Sequence, residues 1–305
     1  MEPDCAEPRM NQPAPPVEDP IARRSVEAFE AWWRTLPPHL RKQYSEGQVT
    51  RWSSYAVYLN NQLIESLLPV HSGPLDCLEV GCGRGDTSLY VRKRGHRTVL
   101  VDAGRTALEV ARENFLEEGV AAYWLQGDLG RLGLRSSRFD VVYAVGVLEH
   151  IAAVDEALAE MVRVLRPGGR LIVAVQIFGR LTGQALVTAL VSRPVVFLKH
   201  LLRLHPIEAA RRAFSRHPRP YYVNGWGAAE YRQALQRAGL VGVRVLNAGI
   251  FPNLQIPATC EPAYVAFIRG VIAIRRALGI RQPFVTRTGL GNEWVIVGDR
   301  PGDPS

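Results

Sequence analysis

Cysteine is scarce. The four in 305 residues, Cys5, Cys77, Cys82 and Cys260, form neither a Cys-x-x-Cys pair nor a cluster with histidine. That spacing excludes a structural zinc site and a disulfide framework from the expectations, and no metal is assigned. Long apolar runs are missing too. No stretch reaches the roughly 20 residues a membrane-spanning helix needs, and the N-terminal stretch lacks the short apolar block of a signal peptide. The expectation is therefore a cytoplasmic protein. Residues 1–20 are short of large apolar groups and carry Pro3, Pro8, Pro13, Pro15, Pro16 and Pro20. A segment that buries so little surface cannot offset its chain entropy, so it reads as a disordered tail.

Acids are sparse in one further place. Between Arg193 and Arg219 stand Arg193, Lys199, Arg203, Arg211, Arg212, Arg216 and Arg219 against the single acid Glu208, within a chain of formal net charge +8. An anionic partner for this segment follows from the charge, although charge alone does not name one. What the chain has in quantity is apolar residues: 47% of the total, enough for a large core.

The densest signal lies at Leu75 to Asp86, where an apolar strand runs into a loop with glycine at every second position, Gly81, Gly83 and Gly85. Glycine there admits backbone turns that a Cβ forbids and lets a ligand lie against the main chain. A helix from Thr87 to Lys93 follows, with Asp86 or Thr87 as its N-cap. Dinucleotide-binding sheets use a similar turn, but their spacing is Gly-x-Gly-x-x-Gly, and Asp86 stands where the third glycine belongs. A second apolar strand, Arg97 to Val101, ends in Asp102, about twenty residues past the first glycine, where an acid can accept from both hydroxyls of a ribose. Tyr123 to Gln126 then leads to Gly127-Asp128-Leu129, Arg138 to Val145 leads to Gly146-Val147-Leu148-Glu149-His150, and Leu165-Arg166-Pro167-Gly168-Gly169 precedes a strand at Arg170 to Gln176.

In this ordered set, Leu75 to Gln176 resembles the class I S-adenosylmethionine-dependent methyltransferases, in particular the small-molecule, type 11-like group with Leu-Glu-His after the fourth strand. The resemblance implies an α/β fold with a Rossmann-like, seven-stranded, mostly parallel sheet, helices on both faces and the last strand antiparallel. It also implies S-adenosylmethionine as cofactor. Backbone at Gly81, Cys82, Gly83 and Gly85 would hold its methionine end and Glu79 its ammonium. Asp102 with Ala103 would take the ribose, Asp128 and Leu129 the adenine, and Val145 and Gly146 would lie near the sulfonium. His150, His217 and Tyr222 are the candidates for a base, with Tyr221 beside them, since a histidine of near-neutral pKa suits removal of a proton from a hydroxyl. The fourth strand is followed by no Pro-Pro-aromatic motif and no Pro-Cys nucleophile, so no nucleic-acid partner is expected. A small or amphiphilic acceptor methylated on oxygen is the reading. A nicotinamide oxidoreductase and a non-catalytic interaction module are the alternatives.

Periodicity predicts the remaining organisation. Residues 21–70 form an N-terminal helical cap with helices at Ile21 to Arg34 and Val49 to Leu68; the resemblance implies that such helices cover the cofactor or shape the acceptor pocket, which makes Tyr44, Arg51, Trp52 and Tyr55 candidate wall residues. The cofactor core spans 71–177, with helices Thr106 to Glu118 and Val154 to Leu165. A basic helical insertion, or lid, covers 178–220, where Val195 to Leu204 has an amphipathic pattern suited to an amphiphilic acceptor or to peripheral membrane contact through 193–219. The core resumes over 221–248, with a helix at Ala228 to Ala238 and a strand at Val241 to Leu246. A second insertion fills 249–291, and 292–300 holds the last strand, Glu293 to Val297.

Overall fold

Alternation of buried apolar strands with amphipathic helices forces a layered solution, because each strand must cover both of its faces. The computed structural model describes residues 20–44, 49–177, 221–249, 258–280 and 291–302, with isolated positions 185, 189, 190, 194, 251, 282, 285 and 286. The basic insertion apart from four of its residues, His217 and residues 1–19 of the N-terminal tail lie outside the described residues. The strands are β1 (Asp76–Val80), β2 (Arg97–Asp102), β3 (Tyr123–Gln126), β4 (Phe139–Val145), β5 (Leu165–Gln176), β6 (Val241–Ala248) and β7 (Glu293–Asp299). They form one sheet in the order β3-β2-β1-β4-β5-β7-β6. All pairs are parallel except those of β7, which runs antiparallel to both β5 and β6. The strand order reverses between β1 and β4, and ligands in such sheets bind at the carboxyl ends beside that reversal.

Helices cover both faces. On one side lie α3 (Trp52–Leu67), after a first helix α1 (Pro20–Thr35) and a single turn α2 (Pro38–Arg41), together with α4 (Asp86–Lys93) and α5 (Arg105–Glu117). On the other lie α6 (Val154–Val164) and α7 (Ala228–Arg237), whose Leu158, Met161, Ala234 and Leu235 pack on Leu78, Val142, Leu171 and Val173. A further helix, α8 (Glu261–Ala277), falls inside the stretch read as a second insertion and packs Val265, Ile268 and Ile272 with the α3 cluster of Leu59, Leu63 and Ile64. Trp52 N–H donates to Glu261 Oε2 at 2.8 Å, tying the starts of α3 and α8. Among the described residues no helix is long and apolar enough to cross a membrane.

Two boundaries differ from the sequence reading for physical reasons. Asp86 is not the N-cap of α4 but its first residue, because Gly85, at φ +70°, occupies the cap. Strand β5 begins at Leu165 rather than Arg170: Leu165 pairs with Phe139, the register shifts, and pairing resumes at Arg170 with Val141. The Pro-Gly-Gly turn is the irregularity between them, with Gly168 at φ +77°. Arg166 closes this end of the sheet by binding Asp140 Oδ1 at 2.6 Å and Asp76 Oδ2 at 2.9 Å.

Candidate active site

The glycine loop is built by backbone hydrogen bonds. Gly81 N–H and Cys82 N–H both donate to the Val101 carbonyl, at 2.8 and 3.1 Å, which turns the chain back over the end of β2. Gly81, Gly83 and Gly85 all sit at positive φ, 68°, 52° and 70°, where an L side chain is strained. Their neighbours separate their roles. A Cβ on Gly83 would meet Trp33 Cζ2 of α1 at 3.0 Å, whereas one on Gly85 would meet Leu100 Cδ2 at 2.9 Å and Ala111 and Phe115 just beyond. Gly85 serves the packing of α4 against β2 and α5 and, unlike Gly81 and Gly83, is not among the residues that line the cleft.

The cleft, about 660 Å³, opens at the carboxyl ends of β1, β2 and β4. Glu79, Gly81, Cys82, Gly83, Asp102, Ala103, Asp128, Leu129, Val145 and Gly146 line it. Glu79 is 3% exposed, accepts from Ser88 N–H at 3.0 Å through Oε2, and burial pushes its carboxyl up to about 8. Asp102 accepts from Gly83 N–H through Oδ2 at 2.9 Å and from Gly104 N–H through Oδ1 at 2.8 Å. Each oxygen keeps a further lone pair, and burial raises this carboxyl to about 6 despite those bonds. Asp128 accepts from Gly130 N–H at 2.8 Å, fixing the turn after β3.

The walls come from the two cap helices, as expected, but from residues other than the four singled out in the sequence. Trp52 and Tyr55 are core residues of α3, Tyr44 packs with Tyr90 in another cluster, and Arg51 is exposed at the start of α3, so none of the four is a wall residue. The wall is Val26, Phe29 and Trp33 of α1 with Val57, Asn60 and Asn61 of α3. Helix α1 is held over the cleft by Glu30, which accepts from Thr106 N–H at 2.8 Å and from the Thr106 hydroxyl. Asn61 fastens α3 to the start of α4: its Nδ2 donates to the Asp86 carbonyl at 3.3 Å and its Oδ1 accepts from Thr87 at 3.0 Å. The aromatic stripe of α1 was visible in the sequence; that Phe29 and Trp33 line the cleft was not.

At the far end stand His150, Tyr221, Ala174, Gln176 and Glu293. The His150 ring lies 5.0 Å from Phe29 and 4.9 Å from Tyr221, and its Nδ1 is 2.9 Å from the Tyr222 carbonyl. Tyr222 contributes backbone: its N–H donates to Ser25 Oγ at 3.1 Å, and its neighbour Tyr221 lines the cleft instead. Glu293, at the start of β7, carries no sequence signal beyond its place in an apolar strand, and sequence reasoning missed it.

The residues present fit S-adenosylmethionine. Its methionine and sulfonium groups are cationic in part, and the cleft gathers buried Glu79 and Asp86 with half-buried Asp102, Arg84 pairing with Asp86 at 2.9 Å. Glu79 and Asp102 accept neutral backbone N–H groups and, among the described residues, no cation, which leaves their carboxyls in want of positive charge. A dinucleotide pyrophosphate would instead meet Asp86 at the first position of α4, where an anion-binding helix start has no acid.

The sheet order and this cleft define the class I methyltransferase architecture. Residues 78–173 match the family described as a methyltransferase domain. A malonyl-[acyl-carrier protein] O-methyltransferase of Pectobacterium atrosepticum is 36% identical over 34% of this chain and 39% of its own length. A sterol 4-C-methyltransferase of Caenorhabditis elegans is 32% identical over 32% of this chain and 30% of its own. The chain thus spans about two fifths or less of the length of these relatives. A solved SAM-dependent methyltransferase of Thermotoga maritima shares the fold at a TM-score of 0.51, with 16% identity, covering 92% of this chain and 98% of that one.

Proposed function

We propose that this chain transfers a methyl group from S-adenosylmethionine to a small or amphiphilic acceptor, on oxygen, by in-line displacement. Asp102 carries the reading: a half-buried carboxylate at the end of β2, oriented by two backbone N–H groups and lining a cleft with further acids. Bound S-adenosylmethionine supplies an electrophilic methyl on a sulfonium, so position matters more than charge stabilisation. Glu79 would hold the ammonium, Asp102 the ribose hydroxyls, and Asp128 with Leu129 the adenine. Trp33 and Phe29, which line the cleft, would exclude water, and Val145 and Gly146 would lie beside the methyl. His150, joined to the Tyr222 carbonyl, stands at the acceptor end.

Calorimetry with S-adenosylmethionine, S-adenosylhomocysteine and NAD tests this reading. Micromolar-scale binding of the first two and none of NAD is expected, and no binding of either sulfur ligand at millimolar concentration removes it. Screening methyl-labelled cofactor against phenolic, sugar and lipid acceptors then identifies the acceptor. For the basic segment 193–219, contact with anionic lipid is the proposal, and equal co-sedimentation with neutral and anionic vesicles counts against it.

A further inference from the structure

Two glutamates stand at this end of the molecule: Glu293 lines the cleft, and Glu149, outside its lining, bonds the backbone of Gln176, which lines it. Glu293 opens β7 opposite Gln176 of β5, and among the described residues its carboxyl has no hydrogen-bond partner. Glu149 is 2% exposed; its Oε1 accepts from Gln176 N–H at 3.0 Å, while its Oε2 is buried and unpartnered. Gln176 thus links the two residues, through its N–H to Glu149 and through strand pairing with Glu293, and Glu149 lies within electrostatic reach of Glu293. Among the described residues that line the cleft, Asn60 Oδ1 and Asp86 Oδ1 are also buried without a hydrogen-bond partner. A fold does not bury acceptor oxygens without donors at no cost, so these groups call for a ligand that brings donors. The other titratable groups facing this end are His150, through its ring, and Tyr221; Arg84 lies at the glycine loop, paired with Asp86. Burial holds both carboxyls at about 7, with the Glu293 charge adding to the rise at Glu149. That range suits a group that exchanges a proton near neutral pH.

We propose that Glu293 is the catalytic residue facing the acceptor, that it accepts a hydrogen bond from a neutral O–H or N–H and takes its proton during transfer, and that Glu149 positions it. The inference rests on the methyl-transfer reading above. As the acceptor oxygen or nitrogen bonds to the methyl carbon, the carbon–sulfur bond breaks and its electron pair stays on sulfur. The acceptor proton passes to the Glu293 carboxylate and leaves to water with the product. A carboxylate acceptor is disfavoured, because it would bring charge of the same sign to two buried acids.

The test uses the full chain saturated with S-adenosylhomocysteine and four probes: catechol and aniline, which carry donors, and anisole and benzoate, which carry none at neutral pH. Affinities come from ligand-observed NMR, and protonation is read from the 13C-labelled glutamate carboxyls. Catechol and aniline are expected to bind at least about tenfold more tightly than anisole and benzoate, and Glu293→Gln to remove that preference while retaining S-adenosylhomocysteine binding. A carboxyl resonance titrating near 7 should vanish in Glu293→Gln and shift in Glu149→Gln. Equal binding of all four probes, no probe binding up to about 10 mM, or a preference unchanged in Glu293→Gln overturns the proposal. Loss of S-adenosylhomocysteine binding by the wild-type chain overturns the methyl-transfer reading instead.

Discussion

Both oxygens of Asp102 already accept a backbone N–H, so Asp102→Asn must turn an amide NH2 toward the N–H of Gly83 or Gly104. The substitution removes a charged acceptor from the ribose and also loosens the loop. Losing a hydrogen bond to a charged group costs about 1.5–3 kcal/mol, so calorimetry should show S-adenosylhomocysteine binding weakened by roughly 10- to 100-fold, with a lowered melting temperature. An affinity equal to wild type removes the ribose assignment. Glu79 allows a pH experiment. Its carboxyl titrates near 4.5 when unfolded and at about 8 when buried. Between those values the folded protein keeps a proton that the unfolded chain has released, so its contribution to stability falls as pH rises from 4.5 through 8. The melting temperature of wild type, relative to Glu79→Gln, should therefore decline from pH 5 to 8 without ligand. Saturating S-adenosylhomocysteine, whose ammonium favours the charged carboxylate, should flatten that decline. A difference between the two proteins that does not change with pH would falsify the burial of Glu79 as its cause.

At the scale of elements, α4 depends on Gly85 and the cleft depends on α1. Gly85→Ala combines positive φ with a Cβ at 2.9 Å from Leu100 Cδ2, whereas Gly95→Ala has positive φ and open space. The strain alone costs ~1–2 kcal/mol and overpacking adds about 1–3, so urea denaturation should rank Gly85→Ala clearly below Gly95→Ala. Equal losses would mean that the loop relaxes away from β2. Helix α1 places Trp33 over Gly83 and is tied down by Glu30 on Thr106. Trp33→Ala strips an aromatic cover from the ligand side, and a loss of about tenfold in S-adenosylhomocysteine affinity with cooperative unfolding retained is expected. The α1 helix itself was legible, because Val26, Phe29, Trp32 and Trp33 recur at helical spacing. Its assignment to the cleft was not, since an aromatic stripe has the same period whether it faces core or ligand. The same ambiguity misassigned Trp52 and Tyr55, whose stripe on α3 turns into the sheet.

Across the whole molecule, the two ends of the parallel strands divide the work. The carboxyl ends hold the buried, under-partnered acids, and the amino ends hold paired ones: Arg166 bridges Asp76 and Asp140, and Arg97 adds a 2.5 Å contact to Asp76. Those pairs hold the Asp76 carboxyl below its ordinary value against the opposing effect of burial. Arg166→Met should lower stability by about 1–2 kcal/mol in urea denaturation and leave S-adenosylhomocysteine affinity unchanged. A loss of affinity without loss of stability would show the two ends to be coupled. The seven strands and their order of appearance could be read from apolar runs ending in Gly or Asp, because each strand buried on both faces needs such a run and each ends in a turn.

The sequence by itself determined the strand-to-glycine turns, the acid at the end of β2 and, with Asp86 in place of a third glycine, the preference for a cationic over a pyrophosphate-bearing nucleotide. These are local consequences of backbone freedom and charge, carried by residues within a few positions of one another. Only the tertiary structure decided that Gly85 packs against Leu100 and Phe115, that Tyr221 rather than Tyr222 lines the cleft, and that Glu149 and Glu293 are linked through Gln176. Those two glutamates stand far apart in the chain, and although Glu149 sits in the Leu-Glu-His motif, nothing local ties it to Glu293. They are joined by the pairing of β5 with β7, a long-range register that hydrogen bonds between strands enforce and that no local pattern encodes.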